Sequence, residues 1–244
     1  MPQEAIHYRN APITEAVIDI RVEPSPGFSA DDLKNVSAGA DYPTISPQHI
    51  SVGQIQRGHS PSATASSQHS GFVYKSSNSK QILQAQIGGF TFSRLAPYQR
   101  WELFRTEAKR LWAAYRSIAK PISVSRIAVR YINRINIPLP LHDFKDYLRT
   151  VPEVSPDLPQ RLSGYLMQLA MPLEDIRGRG LITETIIPPP NPNLVSILLD
   201  IDVYVPSTLP SDSELMWEIF DKLRDKKNLV FNACLTAKAK ELFK

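Results

Sequence analysis

The sequence predicts an α+β fold built mostly on antiparallel sheet. Residues 13–23 and 194–205 alternate apolar and polar side chains, as half-buried strands do. Residues 97–120 instead repeat their apolar side chains every three or four positions, which is typical of an amphipathic helix. The chain also has 21 prolines but only 10 glycines, which favours several short strands separated by rigid turns.

The 244 residues suffice for one large domain, and the order of elements also leaves open two similar lobes, about 1–138 and 139–244. The only cysteine, Cys234, excludes an internal disulfide and fits a reducing cytoplasm. We find neither an apolar run of membrane-spanning length nor the apolar core of a signal peptide. The sequence therefore predicts a cytoplasmic protein without membrane contact.

The first half begins with strand 13–23, which has one apolar face and one face that carries Glu15, Asp19 and Arg21. A short helix at 29–35 and a mobile polar loop at 57–68 are expected next. Further predicted elements are two strands joined by a turn at 76–79, a strand at 88–95, and the long amphipathic helix.

The stretch RIAVRYINRINIP, residues 126–138, places three arginines four positions apart. Its flanking prolines and its many Ile, Val and Tyr residues favour a strand over a helix. In a strand Arg126, Arg130 and Arg134 stand on one face, roughly 13 Å apart at successive positions. The sequence therefore predicts a row of guanidinium groups along one side of a sheet.

In the second half a short helix is expected at 141–151, and two strands at 164–173 and 180–188. The strand at 194–205 places Asp200 and Asp202 on its polar face. Helices close the chain, with a capping box of Ser211 and Glu214 and a cap at Thr236 as expected starts. Since strands precede a helix in each half, the order is compatible with two similar halves.

Several segments resemble a protein family. They are APITEAVIDIRV, FSRLAPYQRWELFRTEAKRLWAAY, RIAVRYINRI and LLDIDVYV, together with the C-terminal FDKLRDKKNLVFNACLTAKAKELF. The family is an uncharacterised, sporadically distributed bacterial one, and RYINRI is the most specific segment. The resemblance carries no activity to this chain. The family's patchy distribution implies a mobile locus of the defence or toxin–antitoxin type.

Charged residues recur on one face of otherwise apolar strands. The candidate anion-binding residues are Arg21, Arg126, Arg130 and Arg134, and the candidate metal ligands or cross-strand partners are Asp19, Glu184, Asp200 and Asp202. The favoured interpretation is a solvated sheet face with cross-strand ion pairs. The alternative is a concave sheet or barrel with a polar interior, in which arginines bind phosphate and aspartates hold a divalent metal. That alternative predicts a phosphate- or nucleotide-handling enzyme.

Other chemistry has little support in the sequence. The five histidines lack metal-ligand spacing, and phosphate-binding, dinucleotide and nucleophile-elbow motifs do not occur. Cys234 lies in an apolar helical stretch and is expected to be a buried, inert thiol. The sequence therefore predicts no cofactor, no catalytic residue set and no particular metal site.

The net charge of +4 permits a nucleic-acid partner without requiring one. A binder of nucleic acid would use the basic surface of the helix at 98–118, which consists of Arg100, Arg105, Lys109, Arg110, Arg116 and Lys120. The function that we favour from the sequence is a non-enzymatic binding or regulatory protein, with a protein partner or a second copy of itself. The enzyme and the nucleic-acid binder remain the alternatives.

Overall fold

Nine strands form one sheet in the computed structural model, which describes residues 8–56, 62–160 and 162–244. The strands are β1 (Ile13–Glu23), β2 (Thr44–Gln56), β3 (Ser62–Lys75), β4 (Gln81–Gln86), β5 (Gly89–Leu95), β6 (Ser123–Pro138), β7 (Leu166–Leu173), β8 (Gly178–Ile187) and β9 (Leu194–Leu209). The helices are α1 (Trp101–Ala119), α2 (Leu215–Cys234) and α3 (Ala237–Glu241), with short 3₁₀ helices at Ala30–Asn35, Phe144–Asp146 and Glu174–Ile176. The predicted α+β class is confirmed.

The strands lie in the order β2-β3-β4-β5-β1-β6-β9-β8-β7, and every neighbouring pair is antiparallel. The sheet is open, so the barrel that the sequence left as an alternative is wrong. With nine alternating strands the two edges, β2 and β7, run in the same direction. Closure would therefore require a parallel pair in an otherwise antiparallel sheet.

Two halves of the chain repeat the same order of elements around the centre of the sheet. The first half starts with β1, continues through β2 to β5, and ends in α1, and β5 pairs with β1. The second half starts with β6, continues through β7 to β9, and ends in α2, and β9 pairs with β6. β1 and β6 are the two central strands and pair antiparallel, with Ile18 opposite Val129. The halves therefore share one sheet and one continuous core.

All the long helices cover the same face of this sheet. The register places Ile18 of β1 beside Phe92 of β5 and Val129 of β6, and all three are buried. Phe104 of α1 stacks on Phe92 at 5.2 Å between ring centroids. α2 covers the neighbouring strands β6 and β9 with a buried stripe of Met216, Trp217, Phe220, Leu223 and Phe231. We call this the covered face.

Two helix starts test the expected caps. The Thr236 hydroxyl accepts a hydrogen bond from the Ala239 amide at 3.2 Å, which confirms this cap. The capping box of Ser211 and Glu214 is wrong, since α2 starts after Glu214 and has no side-chain cap there. The Ser211 carbonyl instead accepts a hydrogen bond from the indole of Trp112, which ties this turn to α1.

The polar segments were the least well predicted. β2 was not expected, and residues 62–68 of the expected loop belong to β3, while 57–61 lie outside the described residues. β2 and β3 pair along their whole length, so backbone pairing overrides a composition typical of loops. The helix expected at 141–151 is reduced to the single 3₁₀ turn Phe144–Asp146.

Gly71 permits a close approach between β3 and β4. A Cβ atom at this position would stand 1.9 Å from the Ala85 carbonyl oxygen, and the φ angle is +153°. We expect Gly71→Ala to lower the free energy of unfolding by about 3 kcal/mol, because the two backbones must separate. Gly88→Ala is the control, since nothing lies near that position. Urea unfolding measures both, and equal stabilities would contradict the argument.

Candidate functional site

The strand register gathers charged side chains at the centre of the face opposite the helices, which we call the open face. Val17 of β1 lies opposite Arg130 of β6, and Arg130 lies opposite Asp202 of β9, so all three point to the same side. Six charged residues meet there, and we call them the Arg–Asp network: Asp19, Arg21, Arg126, Arg130, Asp200 and Asp202.

Arg126 connects three strands of this network. Its Nη1 donates to Asp19 Oδ1 and its Nη2 donates to Asp202 Oδ2, both at 2.7 Å. The guanidinium carbon also lies 4.2 Å from the ring centroid of Tyr204, a cation–π contact. Since its side chain is 25% exposed, Arg126 is a partly buried link between β1 and β9.

Arg130 forms a second, more exposed pair. Its Nε lies 2.9 Å from Asp200 Oδ1 and its Nη2 lies 2.5 Å from Asp200 Oδ2, a bidentate arrangement. Asp200 pairs in register with Ile132, so this contact runs diagonally across the sheet. The Arg130 side chain is 48% exposed, and its outer edge therefore faces solvent.

The network balances its own charge. Asp19 also accepts hydrogen bonds from Thr91 at 2.8 Å and from Arg21 at 3.2 Å, so three carboxylates meet three guanidinium groups. Such a cluster offers little net attraction to a free anion. Arg134 stands apart from the cluster and donates to the carbonyl of Pro188. The structure therefore brings together three of the four candidate arginines, in the ion-paired arrangement that the sequence favoured.

Asp202 is the most constrained carboxylate of the network. Burial raises the pKa of Asp202 above its ordinary value, although Arg126 and Arg130 act in the opposite direction. Its Oδ1 is buried without a hydrogen-bond partner among the described residues. The charges of Arg126 and Arg130 therefore offset part of the cost of burying Asp202.

Glu184 does not join the other candidate carboxylates. It pairs in register with the buried Leu199, so it points to the covered face and is only 2% exposed. The Tyr165 hydroxyl donates to Glu184 at 2.5 Å, and burial raises the pKa of Glu184. Cys234 is buried nearby, and burial raises the pKa of its thiol to about 11. This fits the expectation of an inert thiol.

Carboxylates neutralise three of the six cations on the basic surface of α1. Lys109 Nζ lies 2.6 Å from Oε2 of Glu214, the residue just before α2. Arg105 Nε lies 3.2 Å from Oδ1 of Asp221, which belongs to α2. Arg110 pairs with Glu107 of its own helix, and this hydrogen-bonded ion pair lowers the pKa of Glu107 against the opposing effect of burial. Three cations of the predicted nucleic-acid surface therefore already have partners.

Lys227 of α2 is a buried amine that sequence reasoning missed. It is 7% exposed, its Nζ lies 3.7 Å above the Tyr131 ring centroid, and it donates to Asn228 Oδ1 at 2.6 Å. Burial lowers the pKa of Lys227 to about 7, and nearby Arg224 adds to the effect. The signal in the sequence was its spacing, four residues from both Leu223 and Phe231 in the buried stripe of α2.

Sites for other ligands are limited among residues 8–56, 62–160 and 162–244. In these ranges no three His, Cys, Asp or Glu side chains are grouped to hold a metal ion. A cavity of about 240 Å³ lies beside Arg21 and His69, and one of about 230 Å³ lies between Arg94 and Arg100. Both are smaller than most small-molecule sites, which are roughly 300–1,000 Å³. The described helices include none with the length and apolarity to cross a bilayer.

Comparison with known proteins finds no matching family and no matching curated protein. The similarity to the sporadically distributed bacterial family therefore stays a prediction from the sequence.

We expect Arg126→Ala to lower the free energy of unfolding by about 3 kcal/mol, because the largely buried Asp202 then loses its hydrogen-bonded cation. Arg130→Ala is the control, since its half-exposed pair should contribute about 1 kcal/mol or less. In acid the loss in Arg126→Ala should shrink, because burial raises the pKa of Asp202 and its protonation removes the buried charge. Urea unfolding at neutral and acidic pH measures this, and equal losses in both variants would contradict it.

We expect Lys227→Met to be more stable than the wild type at neutral pH. The pKa of the Lys227 amine is about 7 in the folded chain, whereas an ordinary lysine has a pKa of 10.5. Between pH 7 and 10.5 this amine is therefore protonated in the unfolded chain but not in the folded chain. The Lys227 contribution therefore makes stability rise with pH over that interval, and the variant should lose this rise. Lys222→Met, an exposed change on the same helix, is the control. Parallel pH profiles for both variants would contradict the assignment.

Proposed function

We propose that this chain is a non-enzymatic binding protein whose open face binds a protein partner. The observation that carries the proposal is the asymmetry of the sheet. The helices cover one face, whereas the described residues leave the central strands uncovered on the other. An uncovered face does not by itself indicate a binding surface, because antiparallel sheets commonly keep one face in water. The residue types on the open face provide the further support.

The side chains of the open face are of the types that protein interfaces favour. Arginine and tyrosine are enriched among the residues that dominate binding energies, and Arg126, Arg130 and Tyr204 lie together here. The Arg21 and Arg130 side chains are 47% and 48% exposed, so each can still donate to a second acceptor. A partner that presents backbone carbonyl groups or other neutral acceptors fits these donors.

The charge balance argues against the two alternatives. A phosphate-handling site needs cations in excess, whereas the Arg–Asp network matches each guanidinium with a carboxylate. On α1, ion pairs already engage Arg105, Lys109 and Arg110, which reduces the free positive charge that a nucleic-acid surface needs. A regulatory role at a mobile defence-type locus is compatible with such a binding protein.

The test compares two double variants that change charge equally. The wild-type chain should enrich its binding partners from a lysate of its native host. In Arg21→Gln/Arg130→Gln we expect this enrichment to fall about tenfold or more, because both outward-facing donors are removed. Arg116→Gln/Lys222→Gln, on the helical side, should keep the enrichment. Crosslinking with quantitative mass spectrometry measures the enrichment. Equal recovery by the two double variants would exclude the open face as the binding surface.

Two further measurements separate the alternatives. Magnesium with pyrophosphate or triphosphate should leave the Tm of the wild type unchanged, and a rise that Arg130→Ala abolishes would favour the enzyme. Retention on DNA or RNA should be weak even at low salt. Strong retention that falls steeply with added salt would favour the nucleic-acid binder.

A further inference from the structure

In the part of the chain that the structure describes, β7 leaves one side of its backbone without a partner. Within these residues it stands at the end of the sheet and pairs with β8 alone. Among the described residues, no other backbone group bonds to Leu166–Leu173. An unpaired edge exposes amide and carbonyl groups that can add another strand, and proteins usually protect such edges with charged side chains.

The sequence of β7, LMQLAMPL, contains no charged residue. Leu166 is 74% exposed, the largest value among the exposed large hydrophobic residues described. The one protective feature is Pro172, near the end of the strand, which cannot donate a backbone hydrogen bond. The rest of the edge is an uncharged strand of the kind that pairs with another strand.

The faces of β7 are compatible with pairing between identical strands. The β7–β8 register places Gln168 and Ala170 on the open face and Met167, Leu169 and Met171 on the covered face. A two-fold axis perpendicular to the sheet makes two β7 strands antiparallel and keeps each face on its own side. The three covered-face residues of one copy then meet the same three of the other, and no charge faces a like charge.

We propose that β7 pairs antiparallel with β7 of a second copy of this chain, which joins two sheets across a two-fold axis. With Leu169 at the axis, Gln168 of each copy lies opposite Ala170 of the other. The second copy is the occupant because an uncharged strand with apolar residues on both faces complements itself. This edge is separate from the Arg–Asp network, so the inference does not rest on the proposed open-face partner.

The test places like charges across the proposed contact. Gln168 and Ala170 are exposed, so Gln168→Lys/Ala170→Lys should fold normally but bring four lysines together in the dimer. We expect the wild type to have dimer mass by light scattering and the variant to dissociate about 100-fold or more readily. Ala113→Lys/Ser117→Lys adds the same charge on the exposed side of α1 and should remain dimeric.

A charge-swap experiment distinguishes pairing from a loss of folding. Gln168→Glu/Ala170→Glu should also be monomeric alone, while an equal mixture of the Lys and Glu variants should form the heterodimer. Native mass spectrometry identifies that species by its mass. A wild type that stays monomeric at its highest soluble concentration overturns the proposal. So does a Lys variant that dimerises as tightly as the wild type, or a mixture that gives no heterodimer.

Discussion

The antiparallel pairing of β1 with β6 is the constraint on which the rest of the structure depends. Because side chains alternate along both strands, one register sends Ile18 and Val129 to the covered face and Asp19 and Arg130 to the open face. A shift by one residue would bury the charges and expose the core. The β1–β6 register thus positions the β1 and β6 members of the Arg–Asp network, and the β6–β9 register adds Asp200 and Asp202 on the same face.

Elements with strong periodicity could be predicted, because their pattern directly records burial. β1, β6, β9 and α1 each place apolar residues on one face, and the structure has them where the alternation or the helical spacing indicates. β2 has no such pattern, since its sequence TISPQHISVGQIQ is mainly polar and includes Pro47. Its pairing with β3 is a tertiary effect that local sequence does not contain.

The candidate site was predictable in composition but not in its contacts. Alternation placed Arg126 and Arg130 on one face, yet their partners depend on diagonal neighbours, which only the register between strands determines. Glu184 was grouped with the wrong carboxylates for the same reason. Its neighbours two positions away, Ile182 and Ile186, were the signal for the covered face. The spacing of Lys227 along α2 indicated its burial, but its contact with the Tyr131 ring depends on how α2 packs on the sheet.

The separation of β1 and β6 along the chain has a consequence for biosynthesis. Val129 reaches Ile18 only after β2 to β5 and α1 have been made, so a long segment must close before the central pair can form. Contacts this distant in sequence slow folding. During translation the first half of the chain is made before β6, so the side of β1 that pairs with β6 has no partner strand. Until β6 is made, the nascent chain can form incorrect strand pairs at that side of β1.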